Sequence, residues 1–118
     1  MTTPRLAHED LDVYQVSIEF LATAMKIRAA LPRGYADMGS QLDRAALSVV
    51  LNIAEGYGKR GAKDRMRFYD ISRGSAHECG AVLDAGKTLG IIPDSLYDPG
   101  KVSLHRIVSM LVKLCRSA

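Results

Sequence analysis

The apolar segment at residues 38–57 constrains the fold more than any other part of the chain. At the 100° spacing of a helix, its apolar side chains cover about two thirds of the circumference. A helix on the surface of a small monomer carries a narrower apolar stripe. The segment therefore predicts a helix that is central to the fold or that lies in an interface between subunits.

Three other segments share the helical spacing, and no strand-like alternation stands out. Pro32 and Gly34, Gly56 and Gly58, and the stretch from Gly90 through Pro93 mark the connections between segments. We predict helices over residues 10–31, 38–57, 62–89 and 98–116, in a single domain over residues 1–118. Four helices with short connections favour an all-α fold, an antiparallel up-and-down four-helix bundle.

The apolar rows predict which helix faces are buried. Helix 1 has two rows on nearly opposite sides, which indicates burial on two sides; they are Leu11, Tyr14, Ile18, Leu21, Met25, Ala29 and Val13, Val16, Phe20, Ile27, Leu31. The predicted core row of helix 3 is Phe68, Ile71, Ser75, Cys79, Val82, Gly86, Leu89. The residues of helix 4 predicted to face inward are Val102, Leu104, Ile107, Val108, Leu111, Leu114, Cys115.

Glycine and proline predict how the helices begin and end. Gly56 and Gly58 are expected to end helix 2 in the left-handed conformation, and Gly90 to cap helix 3. Pro99 fits the first turn of helix 4, where its missing N–H is harmless. Glycines within helix 3 predict the close approach of a neighbouring helix, because each costs about 1 kcal/mol relative to alanine.

No catalytic constellation is visible in the chain. The three histidines form no Glu-x-x-His motif, and neighbouring His77 and Glu78 point about 100° apart on a helix. Cys79 and Cys115 form no CxxC pair and are interpreted as reduced packing thiols. Gly56-x-Gly58 lacks the lysine–hydroxyl pair of a phosphate-binding loop. We therefore predict a protein without catalytic residues, metal or cofactor; an enzyme is the least favoured hypothesis.

The N-terminus lacks the apolar core of a signal peptide, and no apolar run approaches the length of a membrane span. We therefore predict a cytoplasmic protein with no membrane partner. Sixteen Lys and Arg against thirteen Asp and Glu give a net charge of +3, which permits contact with nucleic acid without requiring it.

A polar stripe follows one face of helix 2. Arg44, Ser48, Asn52 and Glu55 stack at intervals of four, four and three residues. Ser75 and Glu78 of helix 3 extend this set. We interpret the six residues as a structural polar network between helices 2 and 3 or a solvent-exposed stripe; the alternative is a patch that binds a ligand or partner.

Six cations follow the connection between helices 2 and 3, and they define the basic cluster: Lys59, Arg60, Lys63, Arg65, Arg67, Arg73. Cations do not complement the positive end of a helix dipole, whereas phosphate groups suit both the cations and the free helix N–H groups. Tyr57 and Tyr69 are candidates for stacking on unpaired bases, while Phe68 is expected inside. The cluster therefore indicates a nucleic-acid-binding surface, with a solvated basic face as the alternative.

Two sequence motifs resemble a known family. They are Asn52-Ile53-Ala54-Glu55-Gly56-Tyr57-Gly58 and Gly74-Ser75-Ala76-His77-Glu78. The chain is similar, from about Leu11 to Leu114, to the bacterial four-helix-bundle proteins encoded in intervening sequences of the 23S ribosomal RNA gene. It departs from their pattern with Tyr57 in place of a frequent Phe and Gly61 in place of a helix-capping Ser.

The resemblance implies a ring-like homopentamer, which agrees with the two-sided burial expected for helices 1 and 2. It also implies kinship to the accessory variability proteins of diversity-generating retroelements, pentameric bundles whose basic surfaces engage a reverse transcriptase and nucleic acid. Our leading hypothesis is a non-enzymatic homo-oligomer that binds RNA or DNA through the basic cluster. The alternative is an accessory scaffold subunit, for example for a reverse transcriptase, without direct nucleic-acid binding.

Overall fold

Four long helices make up most of the structure, a computed structural model that describes residues 2–117. After a short 3-10 turn at Ala7–Asp10, the helices are α1 (Asp12–Ala30), α2 (Ala36–Tyr57), α3 (Ala62–Thr88) and α4 (Asp94–Ser117). Each helix packs on two others, α1 and α3 both lying between α2 and α4. The predicted all-α, antiparallel up-and-down four-helix bundle is confirmed.

The two ends of the bundle are built differently. We call one the hairpin end; it carries the α1–α2 and α3–α4 connections, residues 31–35 and 89–93. We call the other the terminal end; it carries the α2–α3 connection, residues 58–61, the start of α1 and the end of α4. The basic cluster therefore lies at the terminal end.

The core takes one row of side chains from each helix. On α1 the row containing Val16, Phe20 and Ile27 is buried. In the other predicted row, Leu11, Tyr14 and Leu21 pack partly buried against the core, while Ile18 and Met25 are 42% and 62% exposed. The predicted burial of α1 on two sides is thus found only in part within one chain.

The buried row of α3 differs from the prediction, and consists of Tyr69, Ser72, Ala76, Cys79, Leu83, Gly86. The expected Ile71 and Leu89 are exposed, and so is Val102 of α4. Small and polar residues occupy most of the true row, so apolar spacing alone points to the wrong face. The buried Ser72 hydroxyl keeps a hydrogen bond, because it donates to the Val49 carbonyl at 2.8 Å.

Helix α4 begins at Asp94, four residues before the predicted start at Asp98. The Pro93 carbonyl accepts from the N–H groups of Leu96 and Tyr97, which starts the helix there. Pro99 consequently lies inside the helix rather than in its first turn. At that interior position its missing N–H removes one helical hydrogen bond. The other helices begin and end within two residues of the prediction.

Glycine ends α3 as predicted but ends α2 differently. Gly90 has a φ of 73°, and the N–H groups of Gly90 and Ile91 donate to the carbonyls of Lys87 and Gly86, which is a Schellman motif. Gly58, by contrast, has a φ of −74°, so the predicted left-handed cap is wrong there.

Gly56 is a site of close packing. It lies buried inside α2, and a Cβ at this position would be 2.8 Å from the Tyr69 ring. Its missing side chain lets the aromatic ring lie directly on the α2 backbone.

Candidate nucleic-acid interface

Positive charge is concentrated at the terminal end. Residues 59–73 hold six cations and two carboxylates, a net charge of +4, whereas the whole chain carries +3. The remaining residues therefore carry a net charge of −1. Lys59 and Arg60 lie in the α2–α3 connection, and the other four cations lie on the first half of α3.

Arg65 has a structural role within the basic cluster. Its Nη1 donates to the backbone carbonyls of Lys59 at 3.0 Å and Arg60 at 2.8 Å. These bonds satisfy carbonyls that follow the end of α2, and they fix the guanidinium against the connection. The spacing of charges along the sequence did not distinguish this arginine from its neighbours.

Phe68 lies between two cations of the cluster. The guanidinium of Arg67 is 4.5 Å and the ammonium of Lys59 is 5.3 Å from the centre of its ring. The predicted core position is therefore wrong: Phe68 is half-buried, and the neighbouring Tyr69 fills the core instead. The ring and its two cations form one continuous surface.

The remaining cations differ in their ionic contacts. Arg67 pairs with Asp64 at 3.8 Å, Arg73 with Asp70 at 3.6 Å, and Lys59 with Glu55 at 3.5 Å. Within residues 2–117, neither Arg60 nor Lys63 forms an ion pair, and both are exposed. These two side chains are the cations of the cluster that are not engaged by the chain itself.

The predicted polar network is found in part. The hydroxyls of Ser48 and Ser75 are 2.7 Å apart and link α2 to α3. The Asn52 amide donates to the backbone carbonyl and the hydroxyl of Ser48, at 2.9 and 3.0 Å. Glu55 does not join this group, because it is exposed and pairs with Lys59.

Arg44 and Glu78 border the same network from outside. Together with Ser48 and Ser75 they line an open groove of about 250 Å³. Both are exposed, and no ion pair joins them within the described chain. The six predicted network residues thus divide into three that are hydrogen-bonded to each other, with one of the bonds crossing from α2 to α3, and three that face solvent.

A charged cluster at the hairpin end was not predicted. Asp84 Oδ1 accepts from the Tyr97 hydroxyl at 2.7 Å and from the Lys101 ammonium at 2.8 Å. The Lys101 hydrogen bond is the main cause that lowers the pKa of Asp84. Tyr97 and Lys101 are one helical turn apart, but the late predicted start of α4 placed Tyr97 outside the helix.

Both thiols have a raised pKa. Burial, followed by the nearby Glu78, raises the pKa of Cys79 to about 12. Burial and the Asp70 carboxylate, 3.6 Å from its sulfur, raise the pKa of Cys115 as well. Both therefore stay protonated near neutral pH, and a protonated thiol is a poor nucleophile.

Residues 2–117 contain no group of three or more His, Cys, Asp or Glu side chains placed to hold a metal ion. No helix in that part of the chain combines the length and apolar content that a membrane span requires.

The fold and the charge distribution define a class: an all-α bundle with a cationic end and a hydrogen-bonded seam between α2 and α3. The model of the 23S rRNA-intervening sequence protein family matches residues 9–113. The chain belongs to this family.

A solved structure has the same fold. It is the crystal structure of a protein with unknown function from the S23 ribosomal protein family of Bacteroides thetaiotaomicron. The TM-score is 0.80 at 20% sequence identity, over 87% of this chain and 97% of that one. No curated protein matches the chain.

Proposed function

We propose that this protein is a non-enzymatic, cytoplasmic homo-oligomer that binds RNA or DNA through the basic cluster. The observation that carries the proposal is the charge distribution: a net +4 lies within residues 59–73, and the rest of the chain is slightly negative. A polyanion would be attracted to the terminal end, because the rest of the chain has almost no net charge.

The contacts of the cluster leave it open to phosphate groups. Arg60 and Lys63 have no ionic partner within residues 2–117. The pairs of Arg67 and Arg73 are exposed and longer than 3.5 Å, and pairs of this kind contribute about 0 to 1 kcal/mol. Phosphate oxygens can replace such carboxylates at little cost, with release of counterions.

An aromatic side chain at the same end supports contact with unpaired bases. Tyr57 is 42% exposed, where α2 ends. Phe68 carries its two cations on the surface nearby. Stacking platforms next to cations are typical of proteins that bind single-stranded segments.

The oligomer is proposed from an apolar face on α1 and α2. Ile18 and Met25 of α1 are 42% and 62% exposed, and Leu47 and Leu51 of α2 are 45% and 56% exposed. Arg28 of α1 pairs with Asp43 of α2, so the two exposed pairs lie at similar heights along the antiparallel helices. A second copy would cover this face.

The ring of five subunits rests on the family resemblance. In a closed ring the basic cluster occurs once per subunit on one rim. Weak attraction at each cluster then adds up along one nucleic-acid chain, because every contact after the first is intramolecular.

The nucleic-acid proposal is tested with the double variant Arg60→Glu/Lys63→Glu. Fluorescence anisotropy with a structured RNA and with duplex DNA, from about 50 to about 200 mM salt, gives the affinity and its salt slope. We expect the variant to lose at least about tenfold in affinity and to have a shallower slope. Arg33→Glu/Arg106→Glu changes the charge equally at exposed positions outside the cluster and should retain binding. Equal losses in both variants, or no wild-type binding at low salt, would contradict the proposal.

The oligomer proposal is tested with Leu51→Glu. A buried, unpaired carboxylate disfavours association strongly, so light scattering at micromolar concentration should show dissociation. Val102→Glu places the same charge on α4, at a side chain that is 62% exposed against 56% for Leu51, and should leave the oligomer intact. A monomeric wild-type protein would refute this part of the proposal.

The second candidate is an accessory scaffold subunit, for example for a reverse transcriptase, without direct nucleic-acid binding. The exposed apolar face favours it, because such a face also suits a protein partner. Co-purification with a reverse transcriptase that survives nuclease treatment and is lost with Leu51→Glu would favour this candidate. Loss of the complex on nuclease treatment would favour the first.

A further inference from the structure

The terminal end contains a groove where the basic cluster meets the end of the core. One hollow of about 430 Å³ is lined by Leu11, Tyr57, Arg65, Tyr69, Leu114 and Ser117. A second hollow of about 250 Å³ shares Leu11 and Leu114 with it and continues along Val13 and Met110. The two together form a trough with polar groups at one end and mainly apolar walls at the other.

One core tyrosine is buried except at its hydroxyl, which opens onto this groove. Tyr69 is only 3% exposed, and its hydroxyl forms no hydrogen bond within residues 2–117. Within residues 2–117, Asp43 Oδ1 is the one side-chain polar atom that is both sealed from solvent and without a hydrogen bond, so the Tyr69 oxygen is not sealed. The Tyr69 hydroxyl therefore keeps an opening to the groove, where a ligand can supply the bond that the fold omits.

The groups around this hydroxyl are hydrogen-bond donors. Two carbonyls of the α2–α3 connection hold one nitrogen of Arg65, and its other N–H groups are not used by them. Burial raises the pKa of Tyr69, despite the opposing charge of Arg65, so the phenol stays protonated near neutral pH. Tyr57 supplies a second phenol at the rim.

We propose that this groove binds a small organic anion with an apolar body, such as a medium-chain carboxylate. The head group would accept from Arg65 and Tyr69, and the apolar body would lie along Leu11, Leu114 and Met110. A neutral ligand would leave the guanidinium without its charge partner, and an inorganic anion would leave the apolar walls unfilled.

The charges around the groove agree with this ligand class. The opposite charges of Asp12 and Lys113 border the apolar hollow and offset each other. The other cations of the basic cluster raise the local concentration of anions. The groove can be tested separately from nucleic-acid binding, because Arg60 and Lys63 do not line it.

Three probes separate the head from the body of the ligand. Octanoate carries both, octanol only the chain, and acetate only the carboxylate. Isothermal titration calorimetry with the full chain should show octanoate binding at least about tenfold more tightly than either other probe, since a charged hydrogen bond and apolar burial each contribute. Octanol binding as tightly as octanoate, or no octanoate binding at millimolar concentration, would overturn the proposal.

Tyr69→Phe tests the hydroxyl itself. We expect about tenfold weaker octanoate binding and an unchanged thermal midpoint, because the hydroxyl has no partner in the chain. Tyr35→Phe is the matched control, a half-buried tyrosine at the hairpin end, and should bind octanoate like the wild type. Unchanged octanoate affinity in Tyr69→Phe would overturn the assignment, and so would a lowered midpoint without a change in affinity.

Discussion

The α3–α4 connection at the hairpin end is tightly packed, whereas the terminal end is open. At the hairpin end, Ile92 is 5% exposed and packs where α3 has Gly86. The Schellman motif of Gly90 and the Asp84 cluster hold the same connection. At the terminal end, two hollows lie between the helix ends, and the Tyr69 hydroxyl has no partner within the described chain.

The difference separates groups that the fold uses from groups that it leaves available. Polar groups at the α3–α4 connection are bonded to each other across the two helices, and they hold that connection in place. At the terminal end, Arg60 and Lys63 have no counter-ion within residues 2–117, and Phe68 is covered by cations. Groups without partners inside the chain are the natural contacts for partners outside it.

The largest loss of stability is expected from a truncated side chain at the α3–α4 connection. Ile92→Ala removes a buried side chain where α3 and its connection meet, and should lower the free energy of unfolding by about 3 kcal/mol. Leu114→Ala is the control at the open end. Leu114 is only half-buried against the hollows, so about 1 kcal/mol is expected.

Urea unfolding followed by circular dichroism, at one fixed protein concentration, measures both changes. Equal losses in the two variants would show that the two ends are packed equally well, and the contrast between them would fail.

Alanine substitutions at two glycines of α3 are expected to change stability by smaller amounts and in opposite directions. A Cβ at Gly86 would overlap the Ile92 side chain, whereas a Cβ at Gly74 would meet nothing within 4 Å. Gly86→Ala should therefore lower stability by about 1 to 2 kcal/mol through overpacking. Gly74→Ala should raise it by up to about 1 kcal/mol, because alanine is the better helix former. Thermal unfolding of the two variants measures both signs, and a loss at Gly74 would indicate that another chain covers that surface.

Much of the fold was predictable because helix spacing and Gly or Pro connections are local signals. The start of α4 was missed because Pro99 resembles a first-turn proline, while the carbonyl that starts the helix belongs to Pro93. The core face of α3 was missed because Ser72 and Ala76 carry no strong apolar signal. Their burial depends on contacts with α2 that are distant in the sequence.

The sequence predicts which residues make up the candidate site, but not which of them bond to each other. The sequence contains the six cations, yet only the folded connection shows that Arg65 binds two backbone carbonyls. It contains Tyr69, yet burial of that ring depends on the absence of a side chain at Gly56, thirteen positions earlier. Hydrogen bonds across helices require a register that residue types do not specify.

The smallest effect concerns the pH dependence of the Asp84 cluster. The folded-state pKa of Asp84 is lowered, so its contribution to stability is present above the unfolded value near 3.9 and is lost as pH falls through the folded value. The pKa of Lys101 is raised, so its contribution is present below its unfolded value and is lost as pH rises through the folded value. Because Asp84 is largely exposed, the total is expected to stay below about 1 kcal/mol.

Asp84→Asn therefore should lower stability at pH 7 and have less effect as the pH is lowered below the Asp84 pKa, as measured by urea unfolding over a pH series. Asp64→Asn is the matched control at the terminal end. Asp64 has one exposed partner, Arg67 at 3.8 Å, against two bonds shorter than 3 Å for Asp84, so a smaller change is expected. If Asp64→Asn costs as much as Asp84→Asn, the carboxylates of the terminal end are tied into the fold as firmly as those of the hairpin end. The cations that they face would then be less available to phosphate than their exposure suggests.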